Sequence, residues 1–440
     1  MTSTNTNSLS YGELLRSNRN FRNLLWGQFV SETGNWFNFI AAAGLIRQIT
    51  NGNAEAAGIL LACRLLPYAI ISPFAGAFVD RFSRRQVMLW TDIARVGIAL
   101  IFLLVSKPDD MWIAFTAMAL LSGFGAFFDA GKNAATPNMC GSEGLLAGTA
   151  LMFSTRFLLM AFGSAAGGVV AWLFGYEWAF IINAASFAIS SYSVWLVSEE
   201  STRDDTTAEK MRNKSASFLK ELKEGLVYAV GNRFALTILL MNVIWATGGG
   251  AVNIVFERMG GIEFARTENL DPNLALGILW FASGIGLFLG MMLARRTDNY
   301  LELTEKRGRF IIVALVVHGL IFASAGFMES IWLFSILILV SRTIIGVEYA
   351  VQETMFQRTL PDEIRGRVST VDRGAELTVF GLSSYFAGLA MSVITPQTLT
   401  IISGLLSATA GLVWYLREGF RDRIMDNRLK SAAAVHRTEG

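Results

Sequence analysis

Runs of apolar residues long enough to cross a bilayer constrain this chain more than any other feature. A helix needs about 20 residues to span the hydrocarbon core, because it rises ~1.5 Å per residue and the core is about 30 Å thick. Such runs lie near 23–46, 56–79, 87–105, 111–132, 146–173, 178–197, 233–256, 274–294, 310–327, 330–356, 368–394 and 398–416. The sequence therefore predicts an all-α membrane protein with twelve transmembrane helices.

Lysine and arginine are distributed unevenly between the connecting segments. With the N-terminus placed inside, the inner segments hold 26 of the 37 basic residues, and the outer segments hold only Arg47, Lys107, Arg258 and Arg266. The inner segments are 1–22, 80–86, 134–145, 198–232, 295–309, 357–367 and 417–440. Basic loops stay on the cytoplasmic side of a membrane. We therefore expect a multi-pass protein of the cell membrane, inner or plasma, with both termini in the cytoplasm.

Composition and motif content exclude other classes of protein. The chain is 53% hydrophobic and 16% charged, and its net charge of +2 gives no basic footprint for a nucleic acid. It contains no nucleophile elbow, Gly-rich phosphate loop or His/Cys cluster, and Cys63 and Cys140 lack metal-ligand spacing. We expect no enzymatic activity, no cofactor, no metal and no nucleic-acid partner.

The apolar runs divide into two sets of six around a polar segment. Residues 198–217 are rich in Ser, Thr and mixed charge, as in a solvated linker, and 218–230 place apolar residues at helical spacing. This pattern predicts an N-terminal six-helix bundle over 1–197 and a cytoplasmic linker with an amphipathic helix over 198–230. A C-terminal six-helix bundle with a cytoplasmic tail is predicted over 231–440.

A weak internal sequence repeat, which we call the internal echo, connects the two halves. Asn18 and Gly34 recur as Asn232 and Gly248, each 214 residues later and each with the same neighbouring residue. Halves with the same even number of helices have the same orientation, which predicts a parallel pseudo-repeat about an axis normal to the membrane.

A basic turn from Gly76 to Arg85 connects the second and third runs. It resembles the loop 2–3 signature of the major facilitator superfamily, Gly-x-x-x-Asp-Arg-x-Gly-Arg-Arg, with Ser83 in place of the second glycine. The chain is similar to the macrolide-efflux and enterobactin-exporter branch of that superfamily through the segments Arg64-x-x-Pro67, Asn183–Phe187 and Pro361–Arg367.

The resemblance implies the major facilitator fold, a small-molecule substrate and a monomer. It also implies that the basic turn is a latch between the halves, in which Asp80 contacts the start of helix 11 in the outward-facing state. The latch residues would be Gly76, Asp80, Arg81, Arg84, Arg85, Asp92 and Arg95. Alternatively, the arginines only fix the topology.

Ionisable residues inside the runs are the second set of candidates. Each charge at the bilayer centre costs about 3 kcal/mol, so such residues normally face protein or a water-filled cavity. Glu32 and Arg156 lie about ten residues into outward-running helices, at similar depth, where they can pair. The resemblance places helices 1, 4, 7 and 10 around a central cavity, which puts Glu32, Arg342 and Glu348 near the substrate path.

A proton-coupled carrier needs a carboxylate whose proton affinity changes with hydration. Glu32 is the first candidate and Glu348 the second, and the alternative is a structural ion pair of Glu32 with Arg156 or of Glu348 with Arg342. Trp36, Phe39 and Trp245 either line an aromatic cavity or face the lipid.

These features favour a secondary active transporter that exports an amphipathic small molecule, drug-like or siderophore-like, by alternating access. Exchange for protons is the expected coupling, so the partners would be the substrate, protons and membrane lipids. The alternatives are a lipid or lysophospholipid translocase of the same fold and a membrane sensor that transports nothing.

Overall fold

A computed structural model describes residues 9–79, 81–202 and 218–420, in which all regular secondary structure is helical. The main helices are α1 Tyr11–Ser17, α2 Arg19–Ile49, α3 Ala54–Val79, α4 Arg84–Ile101, α5 Pro108–Gly141, α6 Glu143–Phe174, α7 Tyr176–Trp195, α8 Phe218–Gly231, α9 Arg233–Arg258, α10 Pro272–Thr304, α11 Arg307–Ala325, α12 Ile331–Thr359, α13 Asp362–Ala390 and α14 Pro396–Glu418.

Twelve of these helices, α2 to α7 and α9 to α14, correspond to the twelve predicted spans. Within the described ranges, nine of them are long and apolar enough to cross a membrane by length and composition. The others, α2, α7 and α13, have 31, 20 and 29 residues, which is also sufficient length, but they carry more polar side chains. In α7 some of these, such as Asn183 and Ser186, are buried against other helices.

The connection predicted at 134–145 is almost entirely helical. The chain is helical from Met111 to Phe174 except at Gly141, whose φ of +62° separates α5 from α6. Glycine adopts this left-handed conformation without the steric cost that a Cβ atom brings. Met139 and Cys140 pack in a buried cluster with Leu14, so burial by α1 keeps this segment helical outside the apolar run.

The predicted inner loop at 295–309 is also mostly helix, because α10 continues to Thr304. Asp298 and Glu302 lie one turn apart on this extension, and both carboxylates bind the guanidinium of Arg307 at the start of α11. Charged residues therefore end the apolar run without ending the helix.

The internal echo has a structural explanation. Asn18 and Asn232 are the N-caps of α2 and α9, and each side chain accepts a hydrogen bond from the backbone N–H three residues later. A Cβ atom on Gly34 would lie 2.0 Å from Ser186 Oγ of α7, and one on Gly248 would lie 2.4 Å from the Ser403 carbonyl of α14. The first helix of each half thus packs closely on the last helix of the same half.

Backbone contacts divide the chain into two compact units. The first contains the described residues up to Phe218 together with Gly260–Phe281, and the second contains Leu219–Met259 and the described residues from Ala282 onward. A π-helical turn at Met259–Phe264 follows α9. The first turns of α10 therefore belong with α2 and α6, although they lie within the second half of the sequence.

Candidate substrate and coupling site

Arg64 is the centre of the polar group in the first unit. It lies ten residues into α3, about 15 Å along the helix and hence near the bilayer midplane. Its guanidinium carbon is 3.8 Å from the ring centroid of Phe39 and 4.9 Å from that of Trp36. The Trp280 ring packs on both, with centroids 5.5 Å from Phe39 and 5.2 Å from Trp36. Cation–π contacts of about 0.5–2 kcal/mol offset part of the cost of a charge at this depth.

Two predicted site residues act on Arg64 and not on each other. Glu32 and Arg156 are both near enough to influence the charge of Arg64. Within the described residues no salt bridge connects Glu32 with Arg156, so the suggested pair does not form. Arg64 was not among the predicted site residues, although its position inside an apolar run was the available signal.

A neighbouring acid is already neutralised. Asp129 of α5 accepts hydrogen bonds from Lys132 Nζ at 2.6 Å and from the Tyr68 hydroxyl at 3.0 Å. Arg156 is also close enough to act on Asp129. Glu32, which is half-buried, is therefore the carboxylate of this group that such bonds leave available.

Arg342 and Glu348 of α12 are buried but do not pair in the described part of the chain. They are six residues apart, so their side chains leave the helix about 120° apart. Arg342 lies over the Phe322 ring at 5.7 Å. Glu348 has only 1% of its surface exposed, and its Oε1 has no hydrogen-bond partner among the described residues. The structural ion pair considered for these residues is therefore wrong.

A hydrogen-bonded chain in the second unit was not among the predicted site residues. Gln352 Nε2 donates to Asn242 Oδ1 at 2.9 Å, and Asn242 Nδ2 donates to Asp372 Oδ2 at 2.8 Å. Gln352 lies one helical turn from Glu348 on the same side of α12. Amide side chains carry no charge, so the charge pattern of the sequence does not single out Asn242 or Gln352.

The candidate aromatics separate into two environments. Trp36 and Phe39 contact Arg64 in the first unit, as described above. Trp245 instead packs against Phe380 of α13, with ring centroids 5.9 Å apart, at the edge of the second unit's buried cluster. The three aromatic residues therefore do not form a single cluster: Trp36 and Phe39 pack in the first unit, and Trp245 packs in the second.

The basic turn makes contacts inside the first unit. Asp80 lies outside the described residues. Arg84 Nη1 donates to the carbonyls of Ala134 and Thr202 at 3.0 Å, and Arg85 Nη2 donates to the Trp195 carbonyl at 2.6 Å. These arginines therefore bind backbone carbonyls near the ends of neighbouring elements, which favours cations there.

The other predicted latch residues differ in burial. Arg81 is exposed, and a Cβ atom on Gly76 would meet nothing within 4 Å. Asp92 and Arg95 form a buried salt bridge on α4, and the guanidinium of Arg95 lies 4.4 Å from the Phe187 ring of α7. This pair therefore belongs to the packing of α4 against its neighbours.

The first turns of α10 pack closely on α2 and α6. Arg47 Nη2 donates to Asn273 Oδ1 at 2.7 Å. A Cβ atom on Gly168 would lie 2.7 Å from the Asn273 carbonyl oxygen, and one on Gly277 would lie 3.0 Å from the Ser164 carbonyl oxygen. Only glycine permits this approach of helix backbones, as at other close helix contacts in membranes.

A family model for the Major Facilitator Superfamily matches residues 24–376. The chain belongs to this superfamily. It is therefore a multi-pass membrane transporter for small molecules and not an enzyme, and the predicted membership of this superfamily is confirmed. The predicted fold class, with twelve helices in the major facilitator arrangement, is confirmed as well.

Curated relatives cover nearly the whole chain at low identity. An uncharacterized MFS-type transporter, YfiS of Bacillus subtilis (strain 168), is 23% identical over 91% of this chain and 93% of its own. Macrolide efflux protein A of Streptococcus pyogenes is 23% identical over 86% and 88%. The multidrug efflux pump Tap of Mycolicibacterium fortuitum is 24% identical over 88% and 89%.

Solved structures share the fold. The nucleoside transporter NupG gives a TM-score of 0.67 at 12% identity, covering 90% of this chain and 98% of that one. A bacterial homologue of the iron transporter ferroportin, in an inward-facing state, gives 0.63 at 15% identity over 90% and 98%. At these identities the likeness shows the fold alone.

Proposed function

We propose that this protein is a secondary active transporter that exports an amphipathic small molecule, drug-like or siderophore-like, in exchange for protons. It would act as a monomer in the cell membrane, with both termini in the cytoplasm. The names of two relatives, a macrolide efflux protein and a multidrug efflux pump, support export. The observation that carries the proposal is the half-buried Glu32 within electrostatic range of Arg64, whose guanidinium stacks on the Phe39 ring near the midplane of otherwise apolar helices.

Alternating access gives this group a route to both sides of the membrane. The close packing of α10 on α2 and α6, through Gly168 and the Arg47–Asn273 hydrogen bond, would have to separate when the outer side opens. The basic turn with Asp80, Arg81, Arg84 and Arg85 would hold the inner side in the opposite state. The bonds of Arg84 and Arg85 to backbone carbonyls also fix the geometry of that turn.

Glu32 is the proposed proton carrier because it is half-buried and lies within electrostatic range of Arg64, a cation whose hydration would change when the helices move. Glu348 is the second candidate. Its closed surroundings and partnerless Oε1 suit a neutral carboxyl group, and opening to water would let it ionise.

The experiment uses purified protein in proteoliposomes with a panel of positive, neutral and negative fluorescent amphipathic dyes. We expect an imposed pH gradient to drive transport in the parent. Glu32→Gln should abolish the gradient dependence while exchange of dye down its own gradient continues. Glu348→Gln tests the second candidate, and Glu329→Gln, at an exposed position between α11 and α12, is the matched control.

Equal dependence on the pH gradient in the parent, Glu32→Gln and Glu348→Gln would contradict the proposed coupling. Movement of a labelled lysophospholipid without movement of any dye would instead support the lipid-translocase alternative. Failure to move any compound would support the sensor alternative.

A further inference from the structure

We infer that the compounds bound by this protein carry an anionic group, and that the guanidinium of Arg64 binds it while the rings of Trp36 and Phe39 hold the apolar part. This inference rests on the proposed function, since it names the chemical class of the substrate.

The geometry of Arg64 leaves its hydrogen-bond donors available. The Phe39 ring centroid is 3.8 Å from the guanidinium carbon, which is the distance of a stacked contact. Ring contacts of this kind use the face of the guanidinium, whereas its five N–H donors lie in its plane. Among the described residues no side chain accepts a hydrogen bond from Arg64, and the Ser122 hydroxyl nearby binds the backbone carbonyl of Arg64 instead.

The balance of charge around Arg64 favours an anion. Arg64 and Arg156 contribute two positive charges, and Glu32 contributes one negative charge. Asp129 is close enough to act on Arg156, but it also pairs with Lys132 at 2.6 Å and accepts a hydrogen bond from Tyr68 at 3.0 Å. Counting Asp129 together with Lys132 leaves one positive charge in excess. A carboxylate, phenolate or phosphate on the ligand would balance the group, and the planar fork of an arginine binds such oxygens in pairs. A zwitterion could place its amine toward Glu32 at the same time.

The apolar part of the ligand would pack against an aromatic cluster beside Arg64. Trp36, Phe39 and Trp280 form one aromatic cluster with ring centroids 5.2–5.6 Å apart. Trp36 and Trp280 are only 8% exposed and Phe39 is 3% exposed, so the cluster is closed around Arg64 in this structure. When the cluster opens, a ligand whose acidic group is attached to a flat apolar body can bind the guanidinium and the rings at once. Binding of this kind requires neither a metal nor a cofactor.

The test measures binding in lipid nanodiscs with three probes that share one apolar body: 1-pyrenebutyrate, its neutral amide and 1-pyrenebutylamine. Equilibrium dialysis against empty nanodiscs subtracts partition into lipid. We expect the parent to bind the acid about 10- to 100-fold more tightly than the amide, which is the range for a hydrogen bond to a charged group. Arg64→Gln should remove this preference without changing the affinity for the amide.

Two further variants separate binding of the anion from general packing. Arg64→Lys keeps the positive charge but loses the planar guanidinium that can donate two parallel hydrogen bonds. This variant should therefore retain part of the acid preference that Arg64→Gln loses. Trp36→Leu should weaken binding of the acid and of the amide by the same factor, because both lose the same ring contact. Arg296→Gln, at an exposed arginine of α10, is the control and should bind as the parent does.

Equal affinity of the parent for acid and amide, tighter binding of the amine, or an unchanged acid preference in Arg64→Gln would each overturn the inference. These results are distinguishable from failure of the proposed function. Transport of cationic dyes with no binding of the acid would leave the transporter assignment intact. Binding of the acid at Arg64 without gradient-driven transport would contradict only the proposed coupling to protons.

Discussion

Replacing Gly168 with alanine should weaken the packing of α10 on α6. The new Cβ atom would lie 2.7 Å from the Asn273 carbonyl oxygen, whereas ordinary van der Waals contact begins at 3.4 Å. The two helices would have to separate by about 0.7 Å locally, because the opposing atoms are backbone and cannot rotate away. Overpacking of this kind costs about 1–3 kcal/mol.

Alanine also favours helix formation, but α6 is helical whether or not α10 packs on it, so that gain cancels between the two states. The packing equilibrium should therefore shift toward separation by roughly 5- to 150-fold. Under the proposed alternating-access cycle, this is a shift toward the state that is open on the outer side.

The assay is the rate at which a membrane-impermeant maleimide modifies a single cysteine at position 164 in intact cells. Ser164 is fully buried and its backbone carbonyl faces Gly277 of α10, so Ser164→Cys reports separation of these helices. The background carries Cys63→Ala and Cys140→Ala. Gly97→Ala is the matched control, since a Cβ atom there meets nothing within 4 Å. Equal labelling rates in Gly168→Ala and Gly97→Ala would refute the reasoning.

Two other predictions concern stability. Arg307→Met should lower the free energy of unfolding by about 3–5 kcal/mol. The fully buried guanidinium pairs with Asp298 at 2.7 Å, and removing the guanidinium leaves that carboxylate uncompensated. Thermal unfolding in detergent measures the change, and a decrease equal to that caused by the exposed Arg296→Met would contradict the prediction. Hydrogen bonds from the side chain and backbone of Ser10 lower the pKa of Glu13 below its ordinary value of 4.5. The ionised Glu13 should therefore stabilise α1 fully above about pH 4.5, and this stabilisation should be lost as the pH falls through the lowered pKa. The mobility of a spin label on α1 should rise at low pH in the parent but not in Glu13→Gln, which cannot ionise, and identical pH profiles would refute the prediction.

Hydropathy predicted the number of long helices because bilayer thickness sets one length for all of them. It could not predict where a helix ends beyond the membrane, since that depends on capping and ion pairs. Thus α10 continues ten residues past its apolar run to place Asp298 and Glu302 beside Arg307. The segment before Gly141 is helical for a different reason, because Met139 and Cys140 are buried by α1.

The sequence predicts how far along a helix a residue lies, but it does not predict in which direction around the helix axis the side chain points. Glu32 and Arg156 were predicted to pair at similar depth, but the sequence did not indicate that Arg64 is within electrostatic range of both. The packing of neighbouring helices sets the direction of each side chain, and single-sequence reasoning has no measure of it. The separation of Arg342 from Glu348 is different, because their spacing of six residues already places them on different sides of α12.

The two halves preserve packing positions and diverge in their polar residues. Asn18 and Asn232 cap equivalent helices, and Gly34 and Gly248 allow equivalent close approaches, because every six-helix half must start and pack its helices in the same way. Near the membrane midplane the similarity is only partial. Each half holds a cation against an aromatic ring, Arg64 on Phe39 and Arg342 over Phe322, but only the second half places a fully buried carboxyl group beside a chain of amides. A repeat therefore identifies residues that the fold requires, and the ionisable residues that have no counterpart in the other half are the ones for which a functional explanation is needed.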